Sequence, residues 1–421
     1  MTANPTDRAY GEALDERDAL AALRGRFRFA DPDLVYLDGN SLGMLPEATA
    51  ARLRRVVDDE WGASLVRGWQ DWVELPTKVG DLLGTSLLGA APGQVVVCDS
   101  ITVNLYKATV LALGLRPGRR VLVTDDDNFP TDRYVLEGVA ADRGLDLRVI
   151  ASDPVHGVDP FALEAALDED VALVSLSHVA YRSGALADMR GITELVHRSG
   201  ALTLWDLAHS AGSVPVALDD CDADLAVGCT YKYLNAGPGA PAFVYVRADL
   251  HGRARQPVWG WFGQRDQFAM GPSYDPAPGA TQFLTGTPNV LGAVAVEEGV
   301  KLLAEAGIDA LRRKSVALTS YLIELSDAWL SPYGVEVVTP RQVERRGGHV
   351  SLRHDDAYRL ARALIEQASV VPDFRAPDRL RLGPAPVTTR FVDVWEGMRR
   401  LRDVLADRRH LELADARARV T

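Results

Sequence analysis

Cysteine is scarce in this chain: Cys98, Cys221 and Cys229 are the only three among 421 residues, with no C-x-x-C pair. Their number and spacing exclude a disulfide framework and a cysteine-built zinc site, so no metal is expected and the three read as small buried hydrophobes. No apolar run approaches the roughly 20 residues of a membrane helix, and Met1 to Glu16 is polar and acidic without a signal-like core. A cytoplasmic protein with no membrane partner is expected. Positive charge is also short: 46 Lys and Arg against 58 Asp and Glu give a net charge of -12, with no long basic block. That disfavours nucleic acid and leaves small metabolites as the expected ligands. Internal repeats and low-complexity segments are absent.

What the chain does have is a 47% hydrophobic content, enough to bury a large core in two or three lobes. Short Val/Leu/Ala runs at 95–97, 120–124, 147–150, 171–175, 201–205, 224–227 and 242–246 alternate with helical stretches. Continuous apolar strands separated by helices indicate an α/β fold with a mostly parallel, seven-stranded sheet covered on both faces. From about 288 the pattern changes to long amphipathic helices at 288–306 and 308–330. Shorter strands near 335–338, 349–352 and 380–382 and a last helix at 391–406 complete a smaller α+β domain. The Gly- and Pro-rich stretch 256–286 is too long for a mere connection and is expected to line a site or an interface.

In such sheets ligands sit beyond the carboxyl ends of the strands. Lys232, in Thr230-Tyr231-Lys232-Tyr233, follows an apolar run among small residues and aromatics. It is badly placed for a solvated charge and well placed to form a Schiff base with a pyridoxal cofactor. A surface turn lysine is the bland alternative, and neighbouring motifs decide between them. Asp206, ending another run, can pair with a protonated pyridine nitrogen, or merely cap a helix over 207–211 that would also carry His209. At Asp99-Ser100-Ile101-Thr102 a helix start offers N–H groups and a hydroxyl to a phosphate, although capping by Ser100 explains the same residues. Phe129 can stack on a flat ring while Asp132 reaches its polar edge; a turn with a buried Phe is the plainer account.

Five segments taken in order resemble the kynureninase family, from about Leu34 to Asp393. They are Tyr36-Leu37-Asp38-Gly39-Asn40-Ser41-Leu42-Gly43, Phe129-Pro130-Thr131-Asp132, Trp205-Asp206-Leu207-Ala208-His209-Ser210-Ala211-Gly212, Tyr231-Lys232-Tyr233-Leu234-Asn235-Ala236-Gly237-Pro238-Gly239 and Gly260-Trp261-Phe262-Gly263. The resemblance implies the fold-type-I pyridoxal-phosphate fold of the class V aminotransferase superfamily. It implies a homodimer with shared active sites that hydrolyses a carbon–carbon bond of L-kynurenine, giving anthranilate and L-alanine in tryptophan catabolism. The implied spans are an N-terminal arm, 1–45, joining the small domain; a large cofactor domain, 46–287; and a small domain, 288–421.

Position by position, Lys232 resembles the cofactor lysine, Asp206 the partner of the ring nitrogen, and Tyr231 a proton-shuttling group. Ile101 and Thr102 resemble the phosphate cup, Phe129 the stacking ring and Asp132 the carboxylate near the ring's edge, with Pro130, Thr131, Ser177 and His209 completing the shell. Trp261 and Thr287 resemble residues that reach the phosphate from the second subunit. Arg381, in Leu380-Arg381-Leu382-Gly383, resembles the arginine that takes the substrate's α-carboxylate, with Asn40 and Trp69 also at the substrate. Trp69 with Gly286-Thr287 is similar to the pattern of members that prefer kynurenine over 3-hydroxykynurenine. Thr131 stands where the family more usually has Ser, a conservative hydroxyl change.

Two rival readings are weighed. A cysteine desulfurase or selenocysteine lyase of the same fold has a nucleophilic Cys well after the lysine, and no cysteine follows Cys229, which counts against a desulfurase and leaves a selenocysteine-lyase-like or aminotransferase activity open. A non-catalytic binding module would have lost Lys232, Asp206 or Arg381, and all three are present.

Overall fold

A computed structural model of the chain describes residues 4–413 apart from 254. The ends of the two outer spans, 1–3 and 414–421, lie outside the described residues. After a short strand β1 (Val35–Tyr36) come β2 (Val95–Val97), β3 (Val121–Asp125) and β4 (Asp146–Ile150), then a small hairpin of β5 (Ser152–Asp153) and β6 (Gly157–Val158). β7 (Val171–Ser177), β8 (Leu202–Asp206), β9 (Leu225–Gly228) and β10 (Phe243–Val246) follow. All seven runs read from the sequence are strands of one sheet, in the order β2-β10-β9-β8-β7-β3-β4. β10 is antiparallel to both neighbours. The remaining pairs are parallel.

The sheet's strands read as unbroken apolar runs because alternate residues feed two different cores. Leu204, Val227 and Val244 point into one, with Leu105 and Leu111 of helix Ile101–Leu115. Trp205, Ala226, Phe243 and Tyr245 point into the other, against Val294, Val296 and Val300 of helix Val290–Ala306. Helices Ile101–Leu115, Pro130–Arg143 and Met189–Arg198 are the crossovers between parallel strands. Helix Pro130–Arg143 begins inside what reads from sequence as a loop, with Pro130 at its first position, where a missing N–H does no harm.

The second sheet is antiparallel, in the order β11 (Glu336–Val337), β12 (Val350–Arg353), β15 (Arg379–Leu382) and β14 (Asp373–Arg375), while β13 (Val370–Val371) pairs in parallel with β1. Helices Ala357–Ala368 and Phe391–Ala406 cover it. Helix Phe391–Ala406 has the bounds read from the sequence, its start fixed by the Asp393 carboxylate accepting from Arg390 N at 2.9 Å. Leu311 of helix Ile308–Trp329 packs with the large core, whereas Leu318, Leu322 and Leu325 pack with the small one. We place the division between the lobes within this helix, later than 288, because helix Val290–Ala306 belongs to the large core.

The arm before residue 45 joins both lobes to the lysine loop. Val35 and Leu37 lie in the small core. Gly39 N donates to Gly383 O at 2.9 Å, and Gly43 N to Tyr231 O at 2.8 Å. A methyl group on Gly43 would overlap the Lys232 carbonyl oxygen and the Asn235 side chain, so the arm can lie this close only without a Cβ. Gly43→Ala is expected to lower the unfolding free energy by about 1–3 kcal/mol through overpacking. Chemical denaturation of both proteins measures it, and an unchanged midpoint would show that the arm is not held there.

Candidate functional site

β7, β8 and β9 end side by side at Ser177, Asp206 and Gly228, so their loops share one edge of the sheet. Lys232 lies on the loop after β9, and its Nζ is 3.1 Å from Nε2 of His209. His209 is on the segment after β8, which is a run of turns and not the helix over 207–211 expected from sequence. The Asp206 carboxylate accepts from Ala208 N at 2.7 Å and Gly212 has φ +82°, so the chain turns back before a helix can propagate. Burial, then the charges of Lys232, Arg381, His349 and Arg375, hold the His209 imidazole well below its ordinary value. Neutral His209 therefore accepts from the Lys232 ammonium.

Asp132, in the first turn of helix Pro130–Arg143, faces Asp206, and the two are 1% and 7% exposed. Burial raises both carboxyls above the ordinary range; Asp206 raises Asp132 further, while Lys232 pulls both down. Neither oxygen of Asp132 meets an N–H or hydroxyl donor, and its one close partner is the Asp206 carboxyl. Two buried carboxylates, one with orphaned oxygens, form a seat for a cation. Phe129, just before this helix, packs edge-on against Tyr181 with centroids 5.3 Å apart. His178 packs edge-on against Trp205, and burial with the charge of Arg312 pushes its imidazole down to about 4.

Ser100 caps helix Ile101–Leu115, accepting from Val103 N at 3.4 Å, and Asp99 adopts a left-handed φ of +47°. The Ser100 side chain thus caps the helix, and the first-turn N–H groups of Ile101 and Thr102 have no intrahelical acceptor. Beneath them fully buried Lys107 pairs with Asp99 and donates to Phe283 O at 2.7 Å. Ser177 Oγ donates to Asn128 Oδ1 at 2.8 Å, and Asn128 is fixed in turn by Thr124 Oγ1 at 3.0 Å.

Arg381 of β15, 1% exposed, is the second charged centre. It donates from Nη1 to Tyr181 O at 2.6 Å and from Nη2 to Ser41 Oγ at 3.2 Å, and it pairs with Asp373. Asn40, its amide turned so that both ends are satisfied, accepts from Nε at 3.1 Å and from Nη2 at 3.0 Å. Asp38 and Arg375 complete this group.

The fold brings Lys232, Tyr231, Asp206, His209 and Asp132 together, and Asn40 and Arg381 together. Trp69 packs on Trp72 and Phe262, and Trp261 on Phe262, 38% exposed. Thr287 lines a cavity of about 210 Å³ with Asp99 and Thr285. Among the described residues no hydrogen bond or ring contact joins Trp69, Trp261 or Thr287 to Lys232. Asp38, Asp373, Arg375, Tyr181 and His349 were not singled out from sequence. The alternation in Asp373-Phe374-Arg375, which puts two charges on one face of β14, was the available signal.

The family model described as the kynureninase C-terminal domain matches residues 311–401. The chain is 44% identical over 401 residues to kynureninase of Pseudomonas fluorescens, covering 93% of this chain and 94% of that one. It is 46% identical over 404 residues to kynureninase of Burkholderia pseudomallei strain 1106a, with the same coverage. Among solved structures, an apo cysteine desulfurase from Thermococcus onnurineus NA1 matches with TM-score 0.76 and 18% identity, over 93% of this chain and 97% of that one. A complex of a cystine C-S lyase with its product cysteine persulfide matches with TM-score 0.78 and 19% identity, over 89% and 98%. These two show the fold they share with this chain.

The Arg381 group carries a pH dependence. Burial, then the charge of Asp373, pushes the Asp38 carboxyl up to about 7; Ser41, Arg381 and Arg375 pull it down, and Tyr36 lies beside it. Folded Asp38 thus keeps its proton where the unfolded chain has lost it, so its contribution to stability falls from about pH 4 to about pH 7 and is level above. As pH rises through about 7, the new anion beside Arg381 weakens the pull on a carboxylate ligand. Ligand affinity is expected to drop several-fold between about pH 6 and 8 in the natural protein and to stay level in Asp38→Asn, as read by titration calorimetry.

Proposed function

The chain belongs to the kynureninase family, hydrolases that convert L-kynurenine to anthranilate and L-alanine with pyridoxal phosphate, and on that premise we propose that the cluster around Lys232 is its active centre. The chain's activity is this hydrolysis, and its cofactor is pyridoxal phosphate. The observation that carries the placement is the buried Asp132–Asp206 pair with its orphaned oxygens, set beside Lys232. A protonated ring nitrogen supplies the missing positive charge, and the first-turn N–H groups at Ile101 and Thr102 suit a phosphate, so the residues present fit the cofactor.

When bound, pyridoxal phosphate supplies an electron sink for charge developing on the substrate's carbons. Asp206 and Asp132 would hold the ring nitrogen charged, Phe129 would cover the ring, and Ser177, whose hydroxyl proton goes to Asn128, would lie at its edge. Pro130 and Thr131 set the turn that presents Phe129 and Asp132. Lys232 Nζ takes the proton from the substrate's α-carbon, and His209 holds that amine in place. Water adds at the γ-carbonyl, the Cβ–Cγ bond breaks and anthranilate leaves; Cβ takes a proton from Tyr231, Lys232 returns its proton to the α-carbon to give alanine, and the proton released by the added water restores Tyr231. Burial, followed by Cys229 and the charge of Asp206, raises the Tyr231 phenol above its ordinary value, so Tyr231 is protonated at neutral pH, as the donor to Cβ must be. Arg381 with Asn40 seats the α-carboxylate. Trp69 forms the wall for the aniline ring and favours kynurenine over its 3-hydroxy form.

The site is completed in a homodimer in which Trp261 and Thr287 reach the partner's phosphate. Its support is an apolar face beside the lysine loop, where Leu42, Leu45, Val57 and Leu291 are exposed around a cavity of about 690 Å³. Exposed Trp259, Phe268 and Met270 continue the apolar surface near Trp261. No helix among the described residues is long and apolar enough to cross a membrane, and the free cysteines suit the cytoplasm.

Holoenzyme given L-kynurenine is expected to release fluorescent anthranilate and alanine in equal amounts. Lys232→Ala should abolish turnover and the lysine-linked cofactor absorbance while the protein sediments as a dimer; a retained lysine-linked absorbance would remove Lys232 from its role. Trp261→Ala should weaken cofactor affinity at least tenfold, about 1.4 kcal/mol, by equilibrium dialysis. An unchanged affinity would separate this loop from the phosphate.

A further inference from the structure

The five N–H donors of Arg381 are almost fully engaged within the chain. Asn40 takes Nε and shares Nη2, Tyr181 O takes one hydrogen of Nη1, and Ser41 and Asp373 both draw on Nη2. One Nη1 hydrogen remains. A carboxylate held by two parallel N–H bonds needs two, so one resident acceptor must yield. Asn40, Ser41 and Tyr181 O are neutral, whereas Asp373 is the one anion on Nη2, so an incoming carboxylate displaces a like charge there. Asp373 is buried, and it costs free energy to leave it without a cation.

A second cation is already in reach. Arg375, two residues on along β14, has Nη2 3.1 Å from the same Asp373 oxygen, Oδ2, while its buried Nε has no hydrogen-bond partner. Residues 373 and 375 face the same side of the strand, and Asp373 pairs in register with Arg381 across the β14–β15 ladder. The orphaned Nε beside the existing Nη2 contact is the donor that a carboxylate leaving Arg381 needs for a two-point seat. Asp38 on the arm and Ser41 also border the group. His209 and His349 behind it are held neutral by burial, so Arg381 and Arg375 are the cations that face Asp373 and Asp38.

We propose that Asp373 and Arg375 are a hand-over pair for substrate binding: Asp373 holds Arg381 until the substrate's α-carboxylate takes it, and then moves onto Arg375. Both are positioning residues, acting on the substrate through Arg381. Arg375 thereby sets the affinity for α-carboxylates without touching them. The inference rests on Arg381 being the α-carboxylate seat.

Steady-state kinetics of the holoenzyme with L-kynurenine test it in a double-mutant cycle. Arg375→Gln should raise KM about tenfold, about 1.4 kcal/mol, with the change in KM much larger than that in kcat, because Asp373 then has no second cation and competes with the substrate. Arg375→Lys, which keeps a cation, should recover part of that loss. Adding Asp373→Asn to Arg375→Gln should return KM to that of Asp373→Asn alone, because no displaced anion remains to be housed. An unchanged KM in Arg375→Gln, or additive effects in the double variant, would overturn the hand-over; a structural defect at Arg375 would not be rescued by removing Asp373. Arg381→Gln separates the two levels. If it leaves KM unchanged the seat itself is misplaced, whereas a large rise in KM with an inert Arg375→Gln refutes only the hand-over.

Discussion

Two carboxylates, Asp132 and Asp206, face each other where water hardly reaches, and the rest of the site answers to that fact. A buried anion is tolerated only with a cation or a proton, and here burial lifts both carboxyls while Lys232 draws them down. Lys232 is steadied by a histidine kept neutral, so its charge is available to the pair and to a ligand. The oxygens of Asp132 meet no N–H donor, so the pair suits a cationic ligand atom.

Holding such a site costs stability that the two cores supply. Each apolar strand of the large sheet feeds both of its faces, which fixes where β7, β8 and β9 end and so where Ser177, Asp206 and the lysine loop stand. The small lobe adds Arg381, and the arm threads between them, bonded to Gly383 on one side and Tyr231 on the other. Lys232 with its carboxylate pair is thus anchored in one lobe and Arg381 in the other, with a glycine at the close approach. A shift of the arm would move both.

Much of this was legible from local patterns. The seven apolar runs, the final helix and the turn after each strand follow from periodicity and side-chain type, because a buried parallel strand needs continuous apolar residues. The motif residues Lys232, Asp206, Phe129 and Arg381 stood out because their chemistry is unusual at those places. The helix over 207–211 was not formed, since Asp206 turns its carboxylate onto the next backbone N–H and Gly212 takes a left-handed φ. β14 was missed because three residues, two of them charged, have no strand signature until they pair with β15.

The sequence by itself determined the layer architecture and the kind of chemistry, because hydrophobic periodicity and the reactive side chains are local properties of the chain. Tertiary structure alone decided which charges meet. Asp38 beside Asp373 and Arg381, His349 behind His209 and Gly43 against the lysine loop join segments more than a hundred residues apart. The energies of these pairings depend on burial and distance, and neither is fixed until both lobes have closed on the arm.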